Sequence, residues 1–81
     1  MKTRYENGIV SAQALMARKT IAAEVRNSRK SAGMTQEMLA DRSGTKKSNI
    51  SRMESGNYNP SLDFLVKVAE SLGKKVEIHI E

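Results

Sequence analysis

Residues 34–54, Met-Thr-Gln-Glu-Met-Leu-Ala-Asp-Arg-Ser-Gly-Thr-Lys-Lys-Ser-Asn-Ile-Ser-Arg-Met-Glu, constrain this chain more than any other stretch. Two short helical patterns flank Gly44, and glycine is the residue best able to take the positive φ that ends one helix and turns the chain directly into another. The spacing predicts a tight helix pair. Its second helix opens on Lys46 and Lys47, at the end where the helix dipole favours acidic side chains. Lysines placed against that preference point to a negatively charged group outside the helix.

Charge carries the same message. Fourteen Lys and Arg against nine Asp and Glu give a formal net charge of +5, which suits a polyanion such as nucleic acid, although a merely solvated basic surface gives the same count. At 81 residues the chain has room for one domain with a modest core, and pairing of two copies is an available source of further stability. With no Cys and one His it has neither disulfides nor the donors of a zinc site, so no metal or cofactor is expected. An enzyme is the least expected class: there is no glycine-rich phosphate loop and no Ser-His-Asp set in the order of the chain. No apolar run reaches the length of a membrane span and residues 1–10 lack the apolar block of a signal peptide, so the expected location is the cytoplasm.

Along the chain, residues 1–10 read as an arm or a short hairpin-like start, with Asn7-Gly8 and the apolar pair Ile9-Val10. Ser11 is the expected N-cap of a helix beginning with Ala12, which either breaks near Thr20 or continues to Ala32, with Ile21, Ala22 and Val25 inward and Gly33 past its end. Thr35 caps the next helix, which buries Leu39 and Ala40 and stops at Gly44. Thr45 is expected to cap a third helix through Ser55, anchored by Ile50 and Met53. After the turn-rich residues 56–60, Ser61 caps a fourth helix with an expected stripe of Leu62, Leu65, Val66, Ala69 and Leu72, ended by Gly73.

The period then changes. In residues 75–81, Lys-Val-Glu-Ile-His-Ile-Glu, apolar and polar residues alternate strictly, the pattern of a strand with one buried face carrying Val76, Ile78 and Ile80. A single strand leaves its backbone unpaired, so its partner is either Ile9-Val10 or the same strand of a second copy. Two copies antiparallel about Ile78 set Val76 against Ile80, Lys75 against Glu81 and Glu77 against His79. Such pairs contribute about 0.2–1 kcal/mol each and select register more than affinity.

Arg29 with Gly33, Thr35-Gln36, Leu39-Ala40, Gly44, Asn49-Ile50-Ser51-Arg52-Met53-Glu54-Ser55-Gly56, Asn59-Pro60-Ser61-Leu62 and residues 69–73 together resemble the Xre/Cro-type helix-turn-helix family, with its lambda-repressor-like DNA-binding fold. The resemblance spans residues 20–73 and implies a mainly α bundle of four to five helices. The organisation to expect is an N-terminal arm or extra helix over residues 1–17, a helix-turn-helix domain over 18–73 and a dimerisation strand over 74–81.

Carried onto this chain, the resemblance implies that the third helix enters the major groove while the second lies across the backbone. Lys46, Lys47, Ser48 and Arg52 are then the base-contacting set. Lys47 and Arg52 lead it, since both can donate to guanine O6 and N7, with about 1–3 kcal/mol of discrimination for a good pair. Gln36, at the first turn of the second helix, is the expected phosphate contact, followed by Asn49, Asn57 and Asn59. Arg29 and Glu54 resemble a pair that some members of the family bury as a salt bridge. Two residues depart from the pattern. Lys46 stands where Ser or Thr is common, which moves the cap to Thr45 or trades helix stability for DNA contact; Met38 stands where a polar residue is usual. The final strand resembles small antitoxins of the HigA-like and HipB-like kind, which repress their own promoter and bind a toxin. The implied function is sequence-specific double-stranded DNA binding as a homodimer, with repression and a small toxin as a further partner. The alternatives are a free-standing phage or mobile-element regulator, and a protein-interaction adaptor that does not bind DNA.

Overall fold

The computed structural model describes residues 2–3 and 10–81 of the chain. Strands β1 (Lys2–Thr3) and β2 (Val10–Ser11) pair antiparallel, Lys2 opposite Ser11 and Thr3 opposite Val10. Of the expected arm, Met1 and residues 4–9, including Asn7-Gly8 and Ile9, lie outside the described residues. Four helices follow: α1 (Ala12–Ser31), α2 (Gln36–Ser43), α3 (Lys47–Glu54) and α4 (Leu62–Ser71). The fold is mainly α, with a lambda-repressor-like helix-turn-helix at its centre.

Ser11 caps α1 as its sequence requires, its hydroxyl accepting from the Ala14 N–H at 3.1 Å. The helix runs unbroken across Thr20 and across the expected boundary at 17–18, because residues 15–19, Leu-Met-Ala-Arg-Lys, are all good helix formers. Thr35 and Ser61 cap α2 and α4 in the same way, accepting from Met38 and Phe64. At the turn between α2 and α3, Gly44 takes φ +67°, and the N–H groups of Gly44 and Thr45 return to the carbonyls of Asp41 and Ala40. That double closure satisfies the last carbonyls of α2 and sends the chain straight into α3.

The core gathers Val25 of α1, Leu39 and Ala40 of α2, Ile50 and Met53 of α3 and Val68 of α4, with Phe64, Leu65 and Leu72 packed against it. The α4 stripe differs from expectation: Val68 is its fully buried centre, whereas Leu62 is 55% exposed. At roughly 100° per residue, Phe64, Leu65, Val68 and Leu72 share one face, while Leu62 and Val66 lie off it.

Beyond Gly73 the expected strand is not formed. Residues 74–81 have no strand structure, and Val10 is paired with Thr3. The segment instead lies along α1 and α4, where half-buried Val76 borders two surface grooves. The physical reason is supply: Ile78 is 63% and Ile80 94% exposed, and a strand so placed needs a neighbouring backbone to become a ladder.

Candidate nucleic-acid interface

Helix α3 rests on α2 and α1. Its inner side buries Ile50, Met53 and Glu54; its outer side exposes Lys46, Lys47, Ser48 and Arg52. The four expected base-contacting residues are each exposed, at the N-cap position, in the first turn and in the turn that follows. Thr45 does not cap this helix. Lys46 occupies the N-cap position with no side-chain cap, and the Thr45 hydroxyl accepts from the Asn49 amide at 2.8 Å instead. No acidic residue lies in the first turn. The helix therefore opens with its N–H groups and two ammonium groups presented together to solvent, an arrangement suited to an anion.

Behind that surface stands a buried ion pair. Arg29 Nε and Nη2 donate to the two carboxylate oxygens of Glu54 at 2.7 and 3.0 Å, and Arg29 Nη1 donates to the Met34 carbonyl at 2.8 Å. Both side chains are almost wholly shielded from solvent. Hydrogen bonding to Glu54 raises the affinity of the guanidinium for its proton; burial opposes that and the Glu54 charge reinforces it, leaving Arg29 above its ordinary range. The forked geometry fixes the end of α3 to α1 and to the α1–α2 connection at once.

Gln36 joins this network. Its Nε2 donates to Glu54 Oε1 at 3.1 Å, so the side chain expected to face phosphate is turned toward the ion pair. Asn49 likewise spends an amide hydrogen on Thr45, while Asn57 and Asn59 are exposed in the loop after α3. Four further hydrogen bonds escaped the sequence reading. Arg26 Nη1 reaches the Glu54 carbonyl and Arg18 Nη1 the Asn57 carbonyl, each at 3.5 Å. Buried Ser43 donates to Ser71, which donates to the Lys67 carbonyl, tying α2 to α4. The signal for Arg26 was its i, i+3 spacing from Arg29; nothing local marks Ser43 or Ser71. Met38 is 45% exposed on α2, as its position in the pattern implied. Among the described residues there is no cluster of potential metal ligands, and no helix is long and apolar enough to cross a membrane.

Two helices joined at a positive-φ glycine, the second braced from behind and basic in front, define a helix-turn-helix DNA-binding domain. The chain belongs to the helix-turn-helix family HTH_3, which matches residues 25–78. It is similar to a helix-turn-helix-type transcriptional regulator of Methanothermobacter thermautotrophicus, itself uncharacterised, at 42% identity over 57 residues that cover 70% of this chain and 78% of that one. A competence pilus inhibition repressor of Acinetobacter baylyi is 52% identical over 50 residues, 58% of this chain and 46% of that protein. Among solved structures, a chain of a toxin-antitoxin module from Streptococcus pneumoniae aligns with a TM-score of 0.68 at 32% identity, covering 88% of this chain and 81% of that one.

Proposed function

We propose that the chain is a sequence-specific repressor that binds a palindromic operator in double-stranded DNA as a homodimer in the cytoplasm. The observation that carries this reading is α3 itself: Lys46, Lys47, Ser48 and Arg52 stand exposed on a helix whose far end is fixed by the buried Arg29–Glu54 pair. Lys47 and Arg52 read guanine edges, Lys46 shares between base and phosphate, and Ser48 adds little preference. With the Gln36 amide on Glu54, phosphate contact at α2 falls to the main-chain N–H groups of its first turn, helped by Asn49, Asn57 and Asn59 on the α3 side. The dimer forms through residues 74–81, with Val76, Ile78 and Ile80 as its apolar face.

Fluorescence anisotropy with duplexes from the gene's own upstream region tests the reading. Affinity should fall steeply with added salt as phosphate contacts release counterions. Binding that is absent, or indifferent to salt, rejects it in favour of a protein-interaction adaptor.

The similarity to a chain of a toxin-antitoxin module supports a more particular role, an antitoxin that represses its own operon and binds a small toxin. A toxin-sized protein encoded beside this one and co-purifying with it is the expected finding. Its absence returns the chain to the free-standing regulators of phages and mobile elements.

A further inference from the structure

The three apolar residues of the C-terminal segment are unequally covered. Val76 is half-buried, Ile78 is 63% exposed and Ile80 is 94% exposed. Paired as a strand, these alternate residues would share a side, which would set Ile78 and Ile80 on the side of Val76. Nothing in the chain's own described residues covers Ile80. Next to Val76 lies an open groove of about 460 Å³ whose walls are mainly apolar, Ala14, Ala17, Ile21, Leu62 and Leu65 among them, with Arg18, Asn59 and Glu77 also lining it. The second groove beside Val76 has apolar residues of its own, Ile21, Val25 and Leu72 among them, but Thr20, Glu24, Ser28, Lys74 and Lys75 make it the more polar of the two.

An uncovered isoleucine and an unfilled apolar groove sit on one protomer, and the self-pairing register says how two protomers combine them. With two copies antiparallel about Ile78, Val76 faces Ile80 of the second copy, and the flanking pairs Lys75–Glu81 and Glu77–His79 match acid to base or imidazole. Residues opposed in an antiparallel pair point to the same face. The second copy's Ile80 therefore comes down beside Val76, over the groove. We infer that Ile80 of each copy is the anchor that fills the α1–α4 groove of the other, in a two-fold exchange that buries both. The occupant is a second copy of this chain, and the groove is complete only in the pair. This rests on the proposed dimer through residues 74–81 and adds to it the receptor and the residue received. The groove walls come from α1, α4, the C-terminal segment and Asn59-Pro60 of the loop after α3, and none comes from α3 itself.

The chain has no native Cys, so single cysteines report proximity directly. Full-length Ile80→Cys protein is mixed with Ala17→Cys protein, and separately with Leu62→Cys, then oxidised mildly and weighed by mass spectrometry. A disulfide-linked heterodimer is expected with at least one of the two, and none with Met16→Cys, which is 68% exposed but is not among the groove walls. Ile78→Cys alone should link to its own copy at the dyad. If Ile78→Cys links while neither groove cysteine captures Ile80→Cys, the anchor inference is overturned and the strand dimer stands. If Ile78→Cys does not link and the wild-type protein sediments as a monomer, both fall. As a second measurement, Ile80→Asp should raise the dimer dissociation constant by about tenfold or more without changing the far-ultraviolet circular dichroism of the helices. An unchanged constant also overturns the anchor.

Discussion

At the scale of single residues, the decisive group is Glu54, which receives Arg29, Gln36 and, at its carbonyl, Arg26. Glu54→Leu leaves the Arg29 guanidinium buried without its counter-charge and should cost about 3–5 kcal/mol in urea denaturation, a large share of the roughly 5–15 kcal/mol available to a domain. Adding Arg29→Met to that variant should recover most of the loss, since a buried pair is often replaceable by apolar side chains of similar volume. Failure of the double variant to regain stability would show that the Met34 carbonyl and Gln36 amide need the pair as well. The linkage sign is plain: the Arg29 pKa is raised on folding, so its stabilisation is complete at every pH below the ordinary arginine range and is lost only as pH rises through the folded value. Arg29 is therefore no switch near neutrality. On the opposite surface, Lys47→Ala and Arg52→Ala should flatten the difference between operator and scrambled duplex by about 1–3 kcal/mol per base pair read. Asn57→Ala or Asn59→Ala should weaken both duplexes alike. Competitive anisotropy separates the two outcomes. Arg29 and Glu54 were legible because their spacing resembles a known pair. The inward turn of Gln36 was not, since its acceptor lies eighteen residues away.

Among the elements, α3 is the least self-sufficient. Its N-cap position holds Lys46, which has no side chain able to accept, and its one neighbouring hydroxyl, Thr45, is taken by Asn49. Lys46→Ser should stabilise the folded protein by about 0.5–2 kcal/mol by supplying the missing cap, while lowering the salt dependence of DNA binding by about one counterion. Thermal melting and a salt titration of affinity measure the two effects on the same variant; a stabilised variant with unchanged salt slope would remove Lys46 from the interface. The caps at Ser11, Thr35 and Ser61 could be read from sequence because each is settled within a few residues of chain. The cap at Thr45 could not, because two acceptable geometries competed and the Asn49 amide decided between them. The α4 stripe was right at Leu65 and Leu72 but missed its centre for a related reason: several apolar residues crowd the helix, and only the position of the core selects Val68 over Val66 and Leu62.

For the whole molecule, residues 74–81 are where sequence and fold part most clearly. Alternation announced a strand, yet a strand is a relation between two backbones, and residues 74–81 form no ladder with the described strands β1 and β2. Deleting residues 76–81 should convert a dimer into a monomer in sedimentation velocity and weaken binding to a two-half-site operator far more than to a single half-site. Operator half-sites should lie about 10 base pairs apart, or a multiple of that, centre to centre. A truncated protein that remains dimeric would remove the C-terminal segment from the interface.

The unbroken course of α1 has a consequence for what DNA the protein can use. The same helix lines the groove at Ala14 and Ala17 and supplies Arg29 to Glu54 of α3, with no Gly or Pro between them. Twelve residues of rise, about 18 Å at roughly 1.5 Å each, separate Ala17 from Arg29. In the proposed dimer α1 would act as a ruler: its length is set residue by residue, and no Gly or Pro interrupts it between the groove and Arg29. One inserted residue would rotate the two ends about 100° against each other as well as lengthening the span. In such a dimer α1 itself would contribute little to any tolerance of altered operator spacing, which would fall to the DNA or to the segment beyond Gly73.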